Sequence, residues 1–558
     1  MHALITQLEA IAAEAGADPS SVVLERPRNP EHGDLATNLA LTLARSLGRS
    51  PRDVAQTIIA RLDLRAAGVE SADVAGPGFI NFRLARAHLR DLLTGILAAD
   101  ARYGRNEKGA GRRVQVEFVS ANPTGPLHIA HGRGAALGDA IASLLEWTGH
   151  RVIREFYVND AGVQMDRLGE SLDARWRELR GEPAAIPEGG YHGEYLREMA
   201  RALDAECGAR LTAMSPAERV RFFRDRAATS LREEQDADLR DFGVHFDEYV
   251  LETSLYRESR LEETLAELAD RGLSYEAEGA VWLATSRYGD DKDRVLVKSD
   301  GTYTYFLPDL AYHRDKARRG FEHVIDVWGA DHHGYAPRMT AALQALGLHD
   351  FLDVEIVQMV RIMRAGEEAK LSKRAGQFIT LRELIDEVGA DVARYFFLMR
   401  RGDAQMLFDL DLALDHSEKN PVFKVQYAHA RLASIFRKAG VTAEAVRAQD
   451  AALERLDQPA ELALVKQLAR FPETVERAAE ARAPHMICEY LDGTAGEVNS
   501  WYHAGNPSRN PRLAVLVPEP ELRAARLVLT RAAQIVLRNG LRLLGLNAPD
   551  RMVREDSE

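Results

Sequence analysis

One stretch constrains the fold of this chain more than any other: residues 112–149, which read RRVQVEFVS, then ANPTGPLHIAH, then GRGAALGDAIASLLEWTG. Val114, Val116 and Phe118 alternate with other residues, the period of a strand. Pro123, Gly125 and Pro126 force a turn. Leu137, Ala140, Ile141, Leu144 and Leu145 then recur at helical spacing up to Gly149. A strand, a tight loop and a helix in that order form the entrance to a nucleotide-binding α/β unit, where phosphates can sit against the helix N-terminus. His128 and His131 lie where the loop feeds the helix.

The remaining chain arranges itself around that unit. At 558 residues it exceeds one ordinary core, and two to four domains are expected. Residues 1–105 read as a small α+β domain. There, 35–48 has helical periodicity, Ser50-Pro51 opens a second helix, and Ile80, Phe82 and Leu84 alternate like a strand after a Gly-Pro-Gly turn. The polar stretch 102–113 reads as a linker. Over 110–381, strands at 152–158, 323–329 and 354–362 alternate with helices, which implies a parallel sheet, and Asp300-Gly301 marks a hairpin. Long, charged, amphipathic helices interrupt this rhythm over about 160–290 and are expected to form an insertion. From 382 to 558 the strand signal is gone, and helix follows helix with punctuation at Gly402, Gly440, Pro459, Pro484 and Pro507.

Composition excludes several classes. With 46% hydrophobic and 28% charged residues, the chain suits a soluble globular protein. No stretch has the length and freedom from charge of a transmembrane helix, so no membrane partner is expected. Glu9, Glu14 and Asp18 near the start argue against a signal or transit peptide. Two cysteines, Cys207 and Cys488, cannot build a disulfide framework or a thiolate zinc site, and the cytoplasm is the expected compartment. The net charge of −13 argues against indiscriminate nucleic-acid binding while leaving room for local basic faces.

Two short motifs carry chemistry. A lone HxxH such as His128 and His131 is more often structural, or half of a metal site. Here the Pro-Gly turn, the preceding strand and the following helix favour hydrogen bonds to phosphate oxygens, whose charge grows as pyrophosphate leaves. No third ligand sits nearby and no HExxH occurs, so no metal-ligating residue is expected. Lys370-Leu371-Ser372-Lys373 would alone be a solvated loop. Paired with the first motif, it places two lysines on a mobile loop that can clamp a triphosphate in the transition state. No GxxxxGK[ST] occurs, which excludes a P-loop.

Together the motifs resemble the two signatures of the class I aminoacyl-tRNA synthetases. His-Ile-Gly-His is here His128-Ile129-Ala130-His131, and Lys-Met-Ser-Lys is here Lys370-Leu371-Ser372-Lys373. Flanking text narrows the resemblance to the arginyl-tRNA synthetase family: VEFVSANPTGPLH, EFYVNDAG, YFLPDLAYH, GADHHGY and NPVFKVQYAHAR. PEHGDLATN and GPGFINF resemble its N-terminal domain, and DVARYFFLMR the start of its anticodon-binding domain. The implied fold is multidomain α/β. A class I Rossmann-like parallel-sheet catalytic domain (110–381) carries a helical insertion, between a small α+β tRNA-contacting domain (1–105) and an all-α anticodon-binding domain (382–558). Two residues depart from the pattern, Ala130 and Leu371, and neither change removes a charged or hydrogen-bonding group.

The resemblance implies arginine–tRNA ligation: ATP-dependent formation of arginyl-adenylate, then transfer to the terminal adenosine of arginine tRNA. His128, His131, Lys370 and Lys373 would be catalytic and would bind ATP together with Ala130, Gly132 and Ser372. Mg2+ would be held largely by phosphate oxygens. Glu117, Tyr305 and Asp309 would contact the guanidinium, whose planar fork rewards carboxylates. Asn122, His332 and Ser120 would hold the α-amino group. Without the resemblance, Glu117 is an edge residue facing water and Asp309 an N-cap. Tyr335 is expected to pack or to touch nucleotide. Arg523, Arg526, Arg531, Arg538 and Arg542 offer a row for RNA phosphates, or a solvated face. The expected partners are arginine tRNA, L-arginine and ATP, with a monomer as the default. Two other readings are a class I ligase or nucleotidyltransferase for another acid, and a noncatalytic RNA-binding relative. The breadth of the resemblance and the two carboxylates weigh against the first. Both histidines and both lysines weigh against the second.

Overall fold

The computed structural model describes residues 2–27, 29–368, 379–506 and 508–552. Two compact units make up the chain. One gathers Met1–Tyr103, Arg431–Arg470 and Gly496–Val536; the other gathers Gly104–Ala430, Phe471–Ala495 and Leu537–Glu558. They part between Tyr103 and Gly104, inside the polar stretch read as a linker, while the C-terminal stretch 382–558 is divided between them.

The larger unit is built on β1 (Arg113–Glu117), α1 (Ile129–Trp147), β2 (Arg151–Val158), β3 (Glu248–Leu251), α2 (Phe306–Arg318), β4 (His323–Gly329) and β5 (Leu352–Val357). The five strands are parallel, in the order β5-β4-β1-β2-β3. From β1 the chain moves outward through β2 to β3, then returns to the other side of β1 for β4 and β5. The order therefore reverses between β1 and β4, and the crevice outside their carboxyl ends is where such a sheet leaves room for ligands. Val116 and Phe118 turn one face of β1 toward α1, which is buried along most of its length. A Cβ on Gly138 would lie 2.2 Å from Phe118 Cγ, so glycine is what lets α1 approach this closely. In the core that α2 shares with helix 336–345, Leu307, Leu310, Met339 and Leu343 pack with Val324 and Leu352.

The stretch 160–290 is helical only in part. Helices Val163–Leu179, Glu194–Ala213 and Pro216–Asp241 share a core of Leu172, Trp176, Leu196, Phe223 and Leu231. Glu248–Leu251 then rejoins the parallel sheet, and residues 274–277, 280–283 and 294–297 form a separate antiparallel sheet. This corrects the expected insertion: a four-residue edge strand that begins with two exposed residues, Glu248 and Tyr249, shows no apolar alternation to read. For the same reason Met406–Asp409, which pairs in parallel with Val360–Arg364, went unread in a region expected to be wholly helical. The Asp300-Gly301 turn is present, with Lys298 N–H donating to Thr302 O at 2.8 Å, but its second arm is a single bridge at Tyr303 before α2 begins.

In the smaller unit, Phe79–Leu84 is the central strand of an antiparallel sheet, between Leu35–Thr37 and Val69–Ala75. Helical periodicity over 35–48 conceals the first of these strands. Helices Pro459–Leu468 and Pro520–Leu543 are joined by a buried ion pair, Arg526 Nε to Glu461 Oε1 at 2.7 Å. Arg526 also donates to the carbonyls of Arg512 and Ala514, and at 2% exposure it cannot line RNA phosphates. Arg531 is likewise buried. Both are removed from the expected phosphate row, because a guanidinium this far from water needs partners inside the fold.

Candidate active site

Beyond Glu117 the chain turns sharply. Val119 and Ser120 take left-handed φ values of 69° and 42°, and Ser120 N–H donates to Phe118 O at 3.0 Å. A γ-turn with positive φ at a β-branched residue is rare and strained. It folds Ser120 back so that Oγ donates to Glu117 Oε1 at 2.8 Å and accepts Tyr157 N–H at 3.2 Å. The following Pro-Gly turn is tied to the helical segment: Gln235 Nε2 donates to the carbonyls of Asn122 and Gly125, and Tyr195 OH to that of Thr124. Asn122 is exposed and donates to Gln164 Oε1 at 2.7 Å.

His128 is the N-cap of α1. Its N–H donates to His131 Nδ1 at 3.3 Å, and the two rings stack with centroids 3.6 Å apart. Burial pushes both imidazoles below their ordinary value, His131 down to about 3 with some help from His128. Both are therefore neutral near pH 7. Since Nδ1 of His131 accepts, its proton resides on Nε2, a donor suited to a phosphate oxygen. Positive potential at this helix end comes from the backbone dipole, not from imidazolium.

Lys370, Ser372 and Lys373 lie outside the described residues. The backbone just after them is bonded to the first motif: Leu381 N–H donates to Leu127 O at 2.8 Å, and Ile129 N–H to Ile379 O at 3.3 Å. Thr380 forms a bridge with His128. Gly132 serves this junction. Its N–H bonds His128 O at 3.2 Å, and a Cβ there would lie 2.6 Å from Leu381 Cδ1. Gly132 is buried against protein on this turn. Ala130 is partly exposed on the same turn.

Beside the histidines' strand lies an acidic pocket. Asp309, on the first turn of α2, is half-buried and accepts a 2.7 Å hydrogen bond from Tyr335 OH. Burial pushes its carboxyl up to about 7; Tyr335 and His313 pull it back, while Glu117 and Glu252 push it further. Glu252, the first residue past β3, is 7% exposed, meets Tyr256 OH at 3.2 Å and is also raised by burial. Tyr305 is 58% exposed, with its ring centroid 6.4 Å from that of Tyr335. Burial first, then Asp309, Glu252 and Glu117, hold the Tyr305 phenol above its ordinary value. His332 stands apart, 3.4 Å from Asp331 and flanked by Trp328 and Tyr335. Tyr335, expected to pack or to touch nucleotide, packs against Trp328 and Phe306 and gives its hydroxyl to Asp309. Glu252 was missed altogether, although residues just past the carboxyl ends of parallel strands are where ligands bind. Its signal was lost with the unread strand. Chemically, the pocket suits a planar cation with several donors.

The family model for the arginyl tRNA synthetase N terminal domain matches residues 2–84, that for the catalytic domain of class I (R) tRNA synthetases matches 92–398, and that for the DALR anticodon binding domain matches 425–552. The arginine–tRNA ligase of Bacillus subtilis is 45% identical over 547 residues, covering 98% of this chain and 97% of its own. That of Citrifermentans bemidjiense is 48% identical over 534 residues, 95% of each chain. The crystal structure of Thermus thermophilus arginyl-tRNA synthetase superposes with a TM-score of 0.75 at 26% identity, covering 99% of this chain and 100% of the other. With the sheet, the stacked histidines and the acidic pocket in one unit, the chain belongs to the arginyl-tRNA synthetase family of class I aminoacyl-tRNA synthetases.

Proposed function

We propose that this chain performs arginine–tRNA ligation with the acidic pocket as the seat of the arginine side chain and the histidine pair as the phosphate site. The observation that carries the reading is the cluster in which Tyr335 bonds Asp309 at 2.7 Å with the Tyr305 ring 6.4 Å from its own, and in which Glu117, ending β1, and Glu252, just past β3, both act on the Asp309 carboxyl. Arginine's guanidinium, charged at every relevant pH, supplies forked donors that these acids require. A lysine ammonium is a point charge and leaves acceptors unmet, so a pocket of this kind discriminates by about 10⁴–10⁵.

In the first step the arginine carboxylate, already ionised, attacks the α-phosphorus of ATP, and the bond to the pyrophosphate oxygen breaks. No protein nucleophile is needed, and catalysis consists of alignment and charge stabilisation. His131 Nε2–H and the N-terminus of α1 face the growing phosphate charge, with Lys370 and Lys373 assigned to the leaving pyrophosphate. The bonds between 379–381 and 127–129 support that assignment, because they tie the flank of the second motif to the first. In the second step a hydroxyl of the terminal tRNA adenosine attacks the acyl carbon and AMP leaves. Asn122 and His332, with Ser120, are assigned to the α-amino end. Among the described residues no three His, Cys, Asp or Glu side chains could hold a metal ion. Magnesium would enter on the ATP phosphates. We take the chain to act as a cytoplasmic monomer, on family resemblance.

Aminoacylation of arginine tRNA with each amino acid in turn tests the reading. Charging with arginine alone is expected; charging with any other amino acid would sink it.

A further inference from the structure

Four acids stand in one row across the sheet. The register pairs Asp326 on β4 with Glu117 on β1, Glu117 with Glu155 on β2, and Glu155 with Glu248 on β3. Side chains at matched positions of neighbouring parallel strands leave the same face about 4.8 Å apart. Asp326 and Glu155 are fully buried and Glu117 nearly so. Such a ladder of like charge needs cations inside the fold, and two come from the far end of α2. Arg319 takes the outer half, bonding both oxygens of Glu155 and reaching Glu248 at 2.7 Å. Lys316 takes the inner half. Fully buried itself, it donates to Glu117 Oε2 at 2.5 Å and to Asp326 Oδ1 at 2.9 Å. The second oxygen of Asp326 meets His313 Nε2 at 2.8 Å.

We propose that Lys316 is a positioning residue for arginine recognition, whose ammonium favours the ionised form of Glu117 and fixes its direction so that its other acceptor sites can address the substrate. This rests on the reading of Glu117 as a guanidinium ligand. Two adjacent buried carboxylates without a cation share a proton, and a protonated Glu117 would meet a guanidinium with one acceptor fewer and no charge. Lys316 opposes that outcome by bridging Glu117 and Asp326 at once, which a compact ammonium can do. Burial works against the ammonium, but Asp326, Glu117 and Glu155 outweigh it and hold its pKa above the ordinary value. On Glu117 burial is the larger influence and leaves the carboxyl above its ordinary value, with Lys316 the strongest pull back toward the ionised form. Ser120 Oγ closes the other side of the same carboxylate, so Glu117 is gripped at both oxygens before any substrate arrives. Lys316 also lies seven residues after Asp309 on one face of α2, so one helix both supplies a pocket acid and sets the charge of another.

Steady-state aminoacylation with the full-length chain tests this, reading the KM for arginine and for ATP separately. Lys316→Met is expected to raise the arginine KM about 10- to 100-fold, the scale of one charge-assisted bond, and to leave the ATP KM within about twofold. Lys316→Arg, which keeps the charge but not the compact ammonium, is expected to recover only part of the loss. If Lys316→Met does not fold, Lys316→Met with Asp326→Asn removes one charge of each sign while still stripping Glu117 of its ammonium; a raised arginine KM with normal ATP KM is expected again. A normal arginine KM in Lys316→Met or in the double variant, beside a raised one in Glu117→Gln, overturns the proposal and leaves the pocket intact. A normal arginine KM in Glu117→Gln removes Glu117 from the pocket, and the proposal with it. Equal rises in both KM values would mark a general distortion and overturn the positioning role.

Discussion

The two sides of one strand–loop–helix unit treat charge in opposite ways. At the N-terminus of α1, two residues capable of carrying charge are kept neutral by burial, and attraction for an anion is left to backbone dipoles and neutral N–H groups. A few residues upstream, on the other face of the strand, carboxylates are crowded together and held by internal cations. The difference follows from what each side must bind. A triphosphate shifts its charge during the reaction, and preorganised neutral donors can follow it without first shedding a partner. A guanidinium never loses its charge, so an acid proposed to meet it is either drawn toward ionisation by an internal cation, as Glu117 is by Lys316, or must shed a proton on binding, as Asp309 must.

The largest expected effect is on the acidic side. Asp309→Ala removes the half-buried acid proposed to meet the guanidinium, a loss of about 2–5 kcal/mol, and should raise the arginine KM by roughly 10²- to 10³-fold while ATP binding holds. If the ATP KM rose as much as the arginine KM, the division between the two sides would collapse. Next comes the histidine side. His131→Ala removes one donor aimed at developing charge, and kcat for pyrophosphate exchange should fall by about 10²-fold with little change in arginine KM. A change confined to arginine KM would assign His131 to the wrong side.

Legibility in the sequence followed the same division. The histidine side is local: strand, Pro-Gly turn and helix are contiguous, and each has a strong period or breaker. The acidic side is assembled from β1, β3, α2 and β4, and its residues become neighbours only through the register of the sheet. Glu117 and Asp309 were reached by resemblance. Lys316, Asp326 and Glu155 were not, because a charged residue in a strand or helix looks solvated until its partners across the sheet are known. Glu252 followed a strand too short and too exposed to show alternation. Gly132 reads as a site residue next to His131, and nothing in the sequence signals that it also packs against Leu381, a contact across a long sequence separation.

A third test uses pH. Burial raises the Asp309 carboxyl to about 7 in the free enzyme, so below that pH a proton occupies the position that arginine needs. Arginine remains cationic throughout, and its binding must displace that proton. Hence kcat/KM for arginine should rise with pH, by up to tenfold per unit below about 7, and level off above it. His131, pushed down to about 3, gains no charge in that window. The profile of kcat/KM for ATP should therefore lack this break, and the same break in both profiles would refute the contrast.

The smallest effect separates strain from contact at the turn that joins the two sides. Ser120→Ala deletes the hydroxyl that grips Glu117 and caps Tyr157 N–H, but keeps a side chain at a φ of 42°. Of the two hydrogen bonds lost only the one to Glu117 acts on the pocket, and about 0.5–1.5 kcal/mol predicts a rise in arginine KM of roughly two- to tenfold. Ser120→Gly deletes the same hydroxyl and relieves the backbone, which glycine adopts at no steric cost. If the hydroxyl is what matters to the pocket, both variants share the arginine KM while glycine has the higher melting temperature. If glycine instead restores a normal arginine KM, the strained backbone and not the hydroxyl sets Glu117, and the grip on that carboxylate falls to Lys316 alone.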